Sequence, residues 1–188
     1  MRALALAIGL AGLCALPAQA APSPAFAAFQ SLCMEHRGDP PGALAAATTA
    51  GWQPVPKAVL GMIPLSSGKI TGLDGRLLSG GGGLMVLLVG HSDELAKGRP
   101  IPAEVCALGV TGDTATLKAE VETLAGVPAQ TDPEMKTGAV YVWRAEGDRH
   151  VPVALASLRP DQPQHDVSMV ALASQGPVTM VALTVPTK

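Results

Sequence analysis

The clearest catalytic pattern in the chain is LMVLLVGHSDE, residues 84–94, an apolar run followed by Gly-His-Ser. A serine nucleophile is typically presented on a sharp turn after a buried strand, with the pattern G-x-S-x-G, and its acid and histidine partners follow in that order. Asp161 and His165 follow Ser92 in this order, but Glu94 stands where the pattern requires glycine. The stretch therefore favours a strand that ends in a polar turn, and a serine hydrolase using Ser92, Asp161 and His165 is kept as an alternative.

Methionine and histidine provide a second possible chemistry, because thioether sulfur is a soft ligand suited to copper(I). Met169 and Met180 lie at core-like spacing in predicted strands, where methionine commonly fills gaps between other apolar side chains. Cys33 and His36 form half of a zinc pattern without a second half. We expect no metal and no cofactor, and keep a copper carrier as an alternative. The methionines that such a carrier could use are Met34, Met62, Met85, Met135, Met169 and Met180.

The first twenty residues have the features of a secretory signal peptide. Arg2 is followed by an apolar segment over 3–16, and residues 18–20 read Ala-Gln-Ala, a typical cleavage site. Acylation of Cys14 is the competing interpretation, but leucine precedes that cysteine where a small residue is expected. We predict cleavage near Ala20, a mature protein in the periplasm or secreted, and no membrane span after removal of the signal.

Loss of Cys14 leaves two cysteines, Cys33 and Cys106. In an oxidising compartment two such thiols are expected to pair, and only one intramolecular bridge is possible. Closing the loop between Cys33 and Cys106 stabilises the fold by about 4 kcal/mol in the chain-entropy model. Free reactive thiols are the alternative, but neither cysteine belongs to a C-x-x-C motif. The sequence thus predicts a Cys33–Cys106 disulfide.

Composition narrows the classes of partner. The formal net charge is −2, aromatic residues make up 3% of the chain, and the lysines and arginines are scattered. A nucleic-acid-binding surface usually combines a basic stripe with stacking aromatics, so nucleic acid is not expected as a partner. The length of residues 21–188 predicts a single domain with a proper core.

Apolar spacing, prolines and glycines together predict an α+β fold. Ser23 and Asp39 each precede proline in the manner of helix caps, and predict helices over 24–36 and 40–50 that form an N-terminal hairpin. A later helix is predicted to follow Asp113 and to end at Gly126. We expect these helices to pack on a mostly antiparallel sheet. Its predicted strands cover 69–78, 84–89, 104–110, 139–144, 150–158, 167–173 and 178–185.

The last two predicted strands contain nearly the same sequence, VSMVALA from Val167 and VTMVALT from Val178. Both are apolar on both alternating faces, which is typical of central strands in a covered sheet or of strands in an interface. We therefore predict binding of a partner protein or a small apolar ligand through the sheet face near 167–185. A homodimer through these C-terminal strands is the related possibility.

Three short motifs carry a resemblance to a known group. FQSLC contains Phe29 and Cys33, AGW contains Gly51 and Trp52, and VCALGV contains Cys106. With the signal peptide, they resemble a loose group of small exported bacterial proteins of unknown function. The resemblance implies a secreted single domain with a disulfide and no known activity. We accordingly predict a non-catalytic envelope or secreted binding protein.

Overall fold

The structure is a computed structural model, and it is dominated by one antiparallel sheet. Strands account for 44% and helices for 26% of the residues that it describes. Those residues are 21–60, 70–80, 83–95, 100–112, 114–131, 138–164 and 166–187.

Eight strands form this sheet in the spatial order β1-β2-β3-β4-β8-β7-β5-β6, and every neighbouring pair is antiparallel. The strands are β1 (Gln53–Pro54), β2 (Ile70–Gly80), β3 (Gly83–Ser92), β4 (Ala103–Thr111), β5 (Gly138–Glu146), β6 (Arg149–Pro152), β7 (Val167–Gln175) and β8 (Val178–Pro186). The helical segments are α1 (Pro24–Phe29), a π-helical turn (Gln30–Met34), α2 (Pro40–Thr49), α3 (Lys57–Leu60), α4 (Leu117–Ala125) and a 3₁₀ turn (Leu155–Ser157).

The predicted α+β arrangement, with an N-terminal helical hairpin packed on the sheet, is wrong. The helix predicted over 24–36 is α-helical only to Phe29 and then widens into the π-helical turn. The second helix, α2, contacts β3 and β4 as well as that turn. It buries only the small side chains of Ala43 and Ala47 completely, which cannot form a separate core with α1. Each short helix instead depends on the sheet for its burial.

The strand prediction is wrong at two places. The two-residue strand β1 was not predicted. The strand predicted over 150–158 pairs with β5 as far as Pro152, and the Val153 N–H still bonds to the Val142 carbonyl. The chain then enters the 3₁₀ turn, where Leu155 joins an apolar cluster with Val140 and Val142.

Successive side chains along each strand point to opposite sides, so the sheet has two different faces. One face, which we call the helix face, carries side chains such as Leu87, Leu108 and Leu183, all at most 1% exposed. They meet Phe29 and Val121 from the helices in the largest apolar cluster of the described residues. We call the opposite side of the sheet the open face.

Local polar contacts fix where the helices begin and end. The Ser23 hydroxyl accepts a hydrogen bond from the Phe26 N–H at 3.2 Å, and the Asp39 carboxylate accepts one from the Gly42 N–H at 3.1 Å. α4 ends at Gly126, which has a positive φ of 62°. These are the caps expected from sequence, except that Thr116 occupies the cap position of α4. Asp113, the predicted cap, lies outside the described residues.

A disulfide joins Cys33 on the π-helical turn to Cys106 on β4, with 5.5 Å between their Cα atoms. Both cysteines are buried within the helix-face cluster. This is the pairing that the sequence predicts. It links two segments that are 73 residues apart in the chain and holds the first helical segment on the centre of the sheet.

α4 is attached to β5 by a buried phenol. Tyr141 is 1% exposed, and its hydroxyl donates a hydrogen bond to the Glu122 carboxylate at 3.2 Å. Burial, and then the charge and hydrogen bond of Glu122, raise the pKa of Tyr141 from 10.0 to about 12. Lys118 lies 3.7 Å from the same carboxylate, on the solvent side.

The two outermost strands are the shortest, with two residues in β1 and four in β6, and each ends in proline. β2 also has an irregular register between Thr71 and Asp74. Among the helices that the structure describes, none combines the length and apolar character needed to cross a membrane.

Replacing both cysteines, Cys33→Ala with Cys106→Ala, should lower the free energy of unfolding by about 4 kcal/mol, because the unfolded chain regains the entropy that the bridge removes. Urea unfolding of the parent and the double variant measures this loss. Intact mass should rise by about two units on reduction of the parent. Two free thiols in the unreduced, unfolded parent would contradict the pairing.

Titration of Tyr141 should have its midpoint near pH 12 instead of 10. Because the folded pKa is raised, the contribution of Tyr141 to stability is unchanged below pH 10 and declines as the pH rises from 10 to about 12. The chain has one tyrosine, so tyrosinate absorbance reports this group alone. Glu122→Gln should lower the midpoint while leaving it above 10, because burial persists. A midpoint at 10 in the folded parent would contradict the contact.

Candidate functional site

Ser92 is the last residue of β3 and has a structural environment. It is 2% exposed, its hydroxyl donates to the Glu94 carbonyl at 2.6 Å, and the Glu94 N–H bonds back to the hydroxyl at 3.2 Å. Gly90, which resembles the first glycine of a nucleophile turn, serves strand pairing. A Cβ at this position would lie 2.7 Å from the Ile70 methyl on β2. The geometry supports the interpretation of a strand that ends in a polar turn.

The other residues of the hydrolase alternative are not assembled around Ser92 in the described part of the chain. His91, its neighbour on the strand, projects from the other face of the sheet, where its Nδ1 lies 3.3 Å from the Glu104 carboxylate. Asp161 is exposed in a turn after the 3₁₀ turn. His165 lies outside the described residues.

The possible soft-metal ligands are dispersed. Met34 and Met85 pack against the helix-face cluster, whereas Met169 and Met180 pack in two different clusters on the open face. Met62 and Met135 lie outside the described residues. Among the residues that can be described, no group of three or more histidine, cysteine or acidic side chains could hold a metal ion. This arrangement fits methionine as a packing residue.

The open face is apolar, and the described residues cover it in two separate clusters. On one side, Val55 and Leu60 pack on Leu88 and Ala107. We call this group the α3 cluster. A second group, the 3₁₀ cluster, covers the other side. It contains Leu95, Ile101, Ala103, Val140, Val142, Leu155, Leu158, Val167 and Met169.

Between the two clusters lies a row of partly exposed apolar residues on β7 and β8, which we call the central strip. It consists of Ala171, Ala173, Met180 and Ala182. Three of the four are alanine, so the strip lies lower than the larger valine, leucine and isoleucine side chains on either side. Gly109 on β4, opposite Met180, extends this low surface by one strand. The result is a shallow apolar depression in the middle of the sheet.

The repeated sequence motif explains the pair of alanines at the centre of the strip. β7 and β8 are antiparallel neighbours joined through Gly176, and Ala171 pairs directly with Ala182. These alanines are the fifth residues of VSMVALA and VTMVALT. Equal positions of the two motifs are therefore related by a local two-fold axis through this pair. The repeat had indicated apolar strands, but only the register reveals that the alanines form the centre of the open face.

β7 and β8 both lie inside the sheet, with hydrogen-bonded neighbours on each side. A homodimer through the edges of these strands is therefore not available to this fold. The binding face predicted near 167–185 stays a prediction.

A separate groove lies on the helix side, between the N-terminal segment and α4. Its volume is about 820 Å³, and it is open to solvent. Phe26 and Leu124 contribute apolar surface, while Thr116 and Glu120 contribute polar groups. Glu120 could not be singled out from the sequence, because its bonding partner, Ser23, lies 97 residues away in the chain.

No protein-family model matches the chain, and searches of curated proteins and of solved structures also return no match. The resemblance to small exported bacterial proteins stays a prediction.

Ser92→Ala should cost about 1–2 kcal/mol of unfolding free energy, because it removes a buried hydroxyl that bonds twice to Glu94. Ser157→Ala is the control, since the Ser157 hydroxyl bonds to one carbonyl at an exposed position, and it should change stability by less than about 0.5 kcal/mol. A fluorophosphonate probe should not label the parent at Ser92. Labelling that disappears in Ser92→Ala would contradict a structural role.

Proposed function

We propose that this chain is an exported, non-catalytic binding protein, and that the central strip of its open face takes a slender apolar ligand such as an acyl chain. The observation that carries the proposal is the partial exposure of Ala171, Ala173, Met180 and Ala182 at the centre of a sheet. Met180 and Ala182 pack against the edge of the α3 cluster, and the 3₁₀ cluster lies on the other side of the strip. Central strands are normally the most completely buried part of a sheet.

The size of the side chains favours a narrow ligand over a broad protein surface. The two clusters contain valine and leucine side chains, which are longer than the alanines of the strip. A flat partner surface would rest on the clusters and leave the alanines without contact. A hydrocarbon chain could lie along the strip and contact both sides, and each buried methylene contributes about 0.8 kcal/mol.

Export is the second part of the proposal. The disulfide between two buried cysteines is consistent with an extracytoplasmic protein, because such bridges persist in oxidising compartments. The N-terminal pattern supports a signal peptide that is removed after Ala20, leaving a periplasmic or secreted protein that begins at Ala21.

Nile red, a neutral dye whose fluorescence rises in apolar surroundings, tests the strip. The parent protein should enhance its fluorescence, and Ala171→Glu or Ala182→Glu should weaken binding at least about tenfold, because a carboxylate would have to be desolvated under the dye. Ala45→Glu is the matched control. It places the same side chain on an exposed position of α2 and should leave binding unchanged.

Circular dichroism of each variant establishes that the fold is retained. Absence of enhancement by the parent, or equal enhancement by all variants, would overturn the ligand proposal. Light scattering tests the remaining possibility, which is self-association through the strip. A parent dimer that Ala182→Glu dissociates would identify the strip as a self-association surface, and would also overturn it.

A further inference from the structure

The carboxylate of Glu120 binds Ser23, close to the first described residue. Glu120, in the first turn of α4, accepts two hydrogen bonds from Ser23, one from the backbone N–H at 2.5 Å and one from the hydroxyl at 2.6 Å. Thr116 donates a third, longer bond at 3.4 Å. Both carboxylate oxygens are thus directed towards the N-terminal segment. Ser23 at the same time caps α1 through the Phe26 N–H.

The position of this contact relative to the predicted cleavage site is the second observation. Ala21 precedes Ser23 by two residues, and two residues span at most about 7 Å. Ala21, Pro22 and Ser23 line the same groove as Glu120. The nitrogen of Ala21 therefore lies within a short distance of the carboxylate that holds Ser23.

Charge is the third observation. Glu120 is the single ionisable side chain among the described residues that line the groove. The groups that donate hydrogen bonds to it, a peptide N–H and two hydroxyls, are uncharged. The groove therefore presents negative charge to whatever lies at Ala21, without a cationic side chain of its own to balance it.

Cleavage changes the charge at that position. Hydrolysis of the peptide bond between Ala20 and Ala21 by a signal peptidase consumes one water. It leaves a carboxylate on Ala20 and an α-amino group on Ala21, which is largely protonated at pH 7. Before cleavage the same nitrogen is an uncharged amide. Processing thus creates a cation beside the groove that holds Glu120.

We infer that the Glu120 carboxylate binds the amino terminus of the mature chain. Removal of the signal peptide then strengthens the attachment of the N-terminal segment to α4. The inference rests on the proposed export and on cleavage before Ala21. It gives the groove a role separate from ligand binding on the open face. The hydrogen bonds from Ser23 place the segment, and the ammonium group of Ala21 adds an ion pair that the precursor lacks.

The experiment compares two chains in urea unfolding, one beginning at Ala21 and one beginning at Ala18. The longer chain keeps residues 18–20 and so moves the ammonium group away from Glu120. The folding equilibrium constant should be about threefold larger for the chain that begins at Ala21, in the range of a partly exposed ion pair. In the Glu120→Gln background the two chains should have equal constants.

Glu122→Gln is the matched control, since Glu122 is on the same helix but bonds to Tyr141 and does not line the groove. The threefold difference should persist in it. Equal stability of the two parent chains, or the same difference with and without Glu120, would overturn the assignment of Glu120.

N-terminal sequencing of the protein recovered after export tests the cleavage separately. A start at Ala21 supports the role in maturation. A start at another residue would overturn that role and the proposed cleavage together. A correct start combined with equal stabilities would overturn the assignment of Glu120 alone.

Discussion

The attachment of the first helical segment to the centre of the sheet is the constraint on which the rest of the structure depends. α1 and the π-helical turn together contain eleven residues, and α2 contains ten. Helices of this length are marginal in water, so their stability has to come from the surface on which they pack. The bond between Cys33 and Cys106 fixes that contact covalently at β4. Phe29 can then stay fully buried against the strands.

Because all the larger helices lie on one face, the other face has to be covered by short segments. The segment around Val55 and Leu60 covers one side, and the segment around Leu155 and Leu158 covers the other. In the part of the chain that the structure describes, neither segment covers the middle of β7 and β8. Small side chains in the middle limit the apolar area that this gap exposes to water. The same small side chains make the gap a depression. The limited apolar exposure and the proposed binding surface therefore both depend on Ala171 and Ala182.

Much of the sheet could be predicted from the sequence, because alternating and continuous apolar runs are strong local signals. The ranges predicted at 167–173 and 178–185 lie inside β7 and β8, and the strand predicted at 84–89 lies inside β3. The helical hairpin was wrong for a physical reason. Caps such as Ser23 and Asp39 indicate where a helix begins, but they carry no information about what the helix packs against.

The candidate sites were harder to predict, because they depend on contacts between distant parts of the chain. The 3₁₀ cluster covers one side of the open face because the chain leaves the sheet after Val153, where an apolar pattern had indicated a longer strand. The environment of Glu120 depends on a serine near the other end of the domain. Ser92 was a local pattern, and its hydroxyl is bonded by the backbone of Glu94, at the position where the motif requires glycine. Gly90 is crowded by Ile70 of a neighbouring strand, which the motif does not include.

The short outer strands have a consequence for the behaviour of the protein among its own copies. Nearly half of the chain is hydrophobic, and a sheet with long exposed edges would recruit further strands from neighbouring molecules. Here Pro54 and Pro152 stand in the two border strands, and an irregular register interrupts β2, the strand next to the short β1. Stacking of sheets edge to edge into fibrils is therefore disfavoured by the borders themselves. The protein can keep an apolar surface on its face because its edges resist polymerisation.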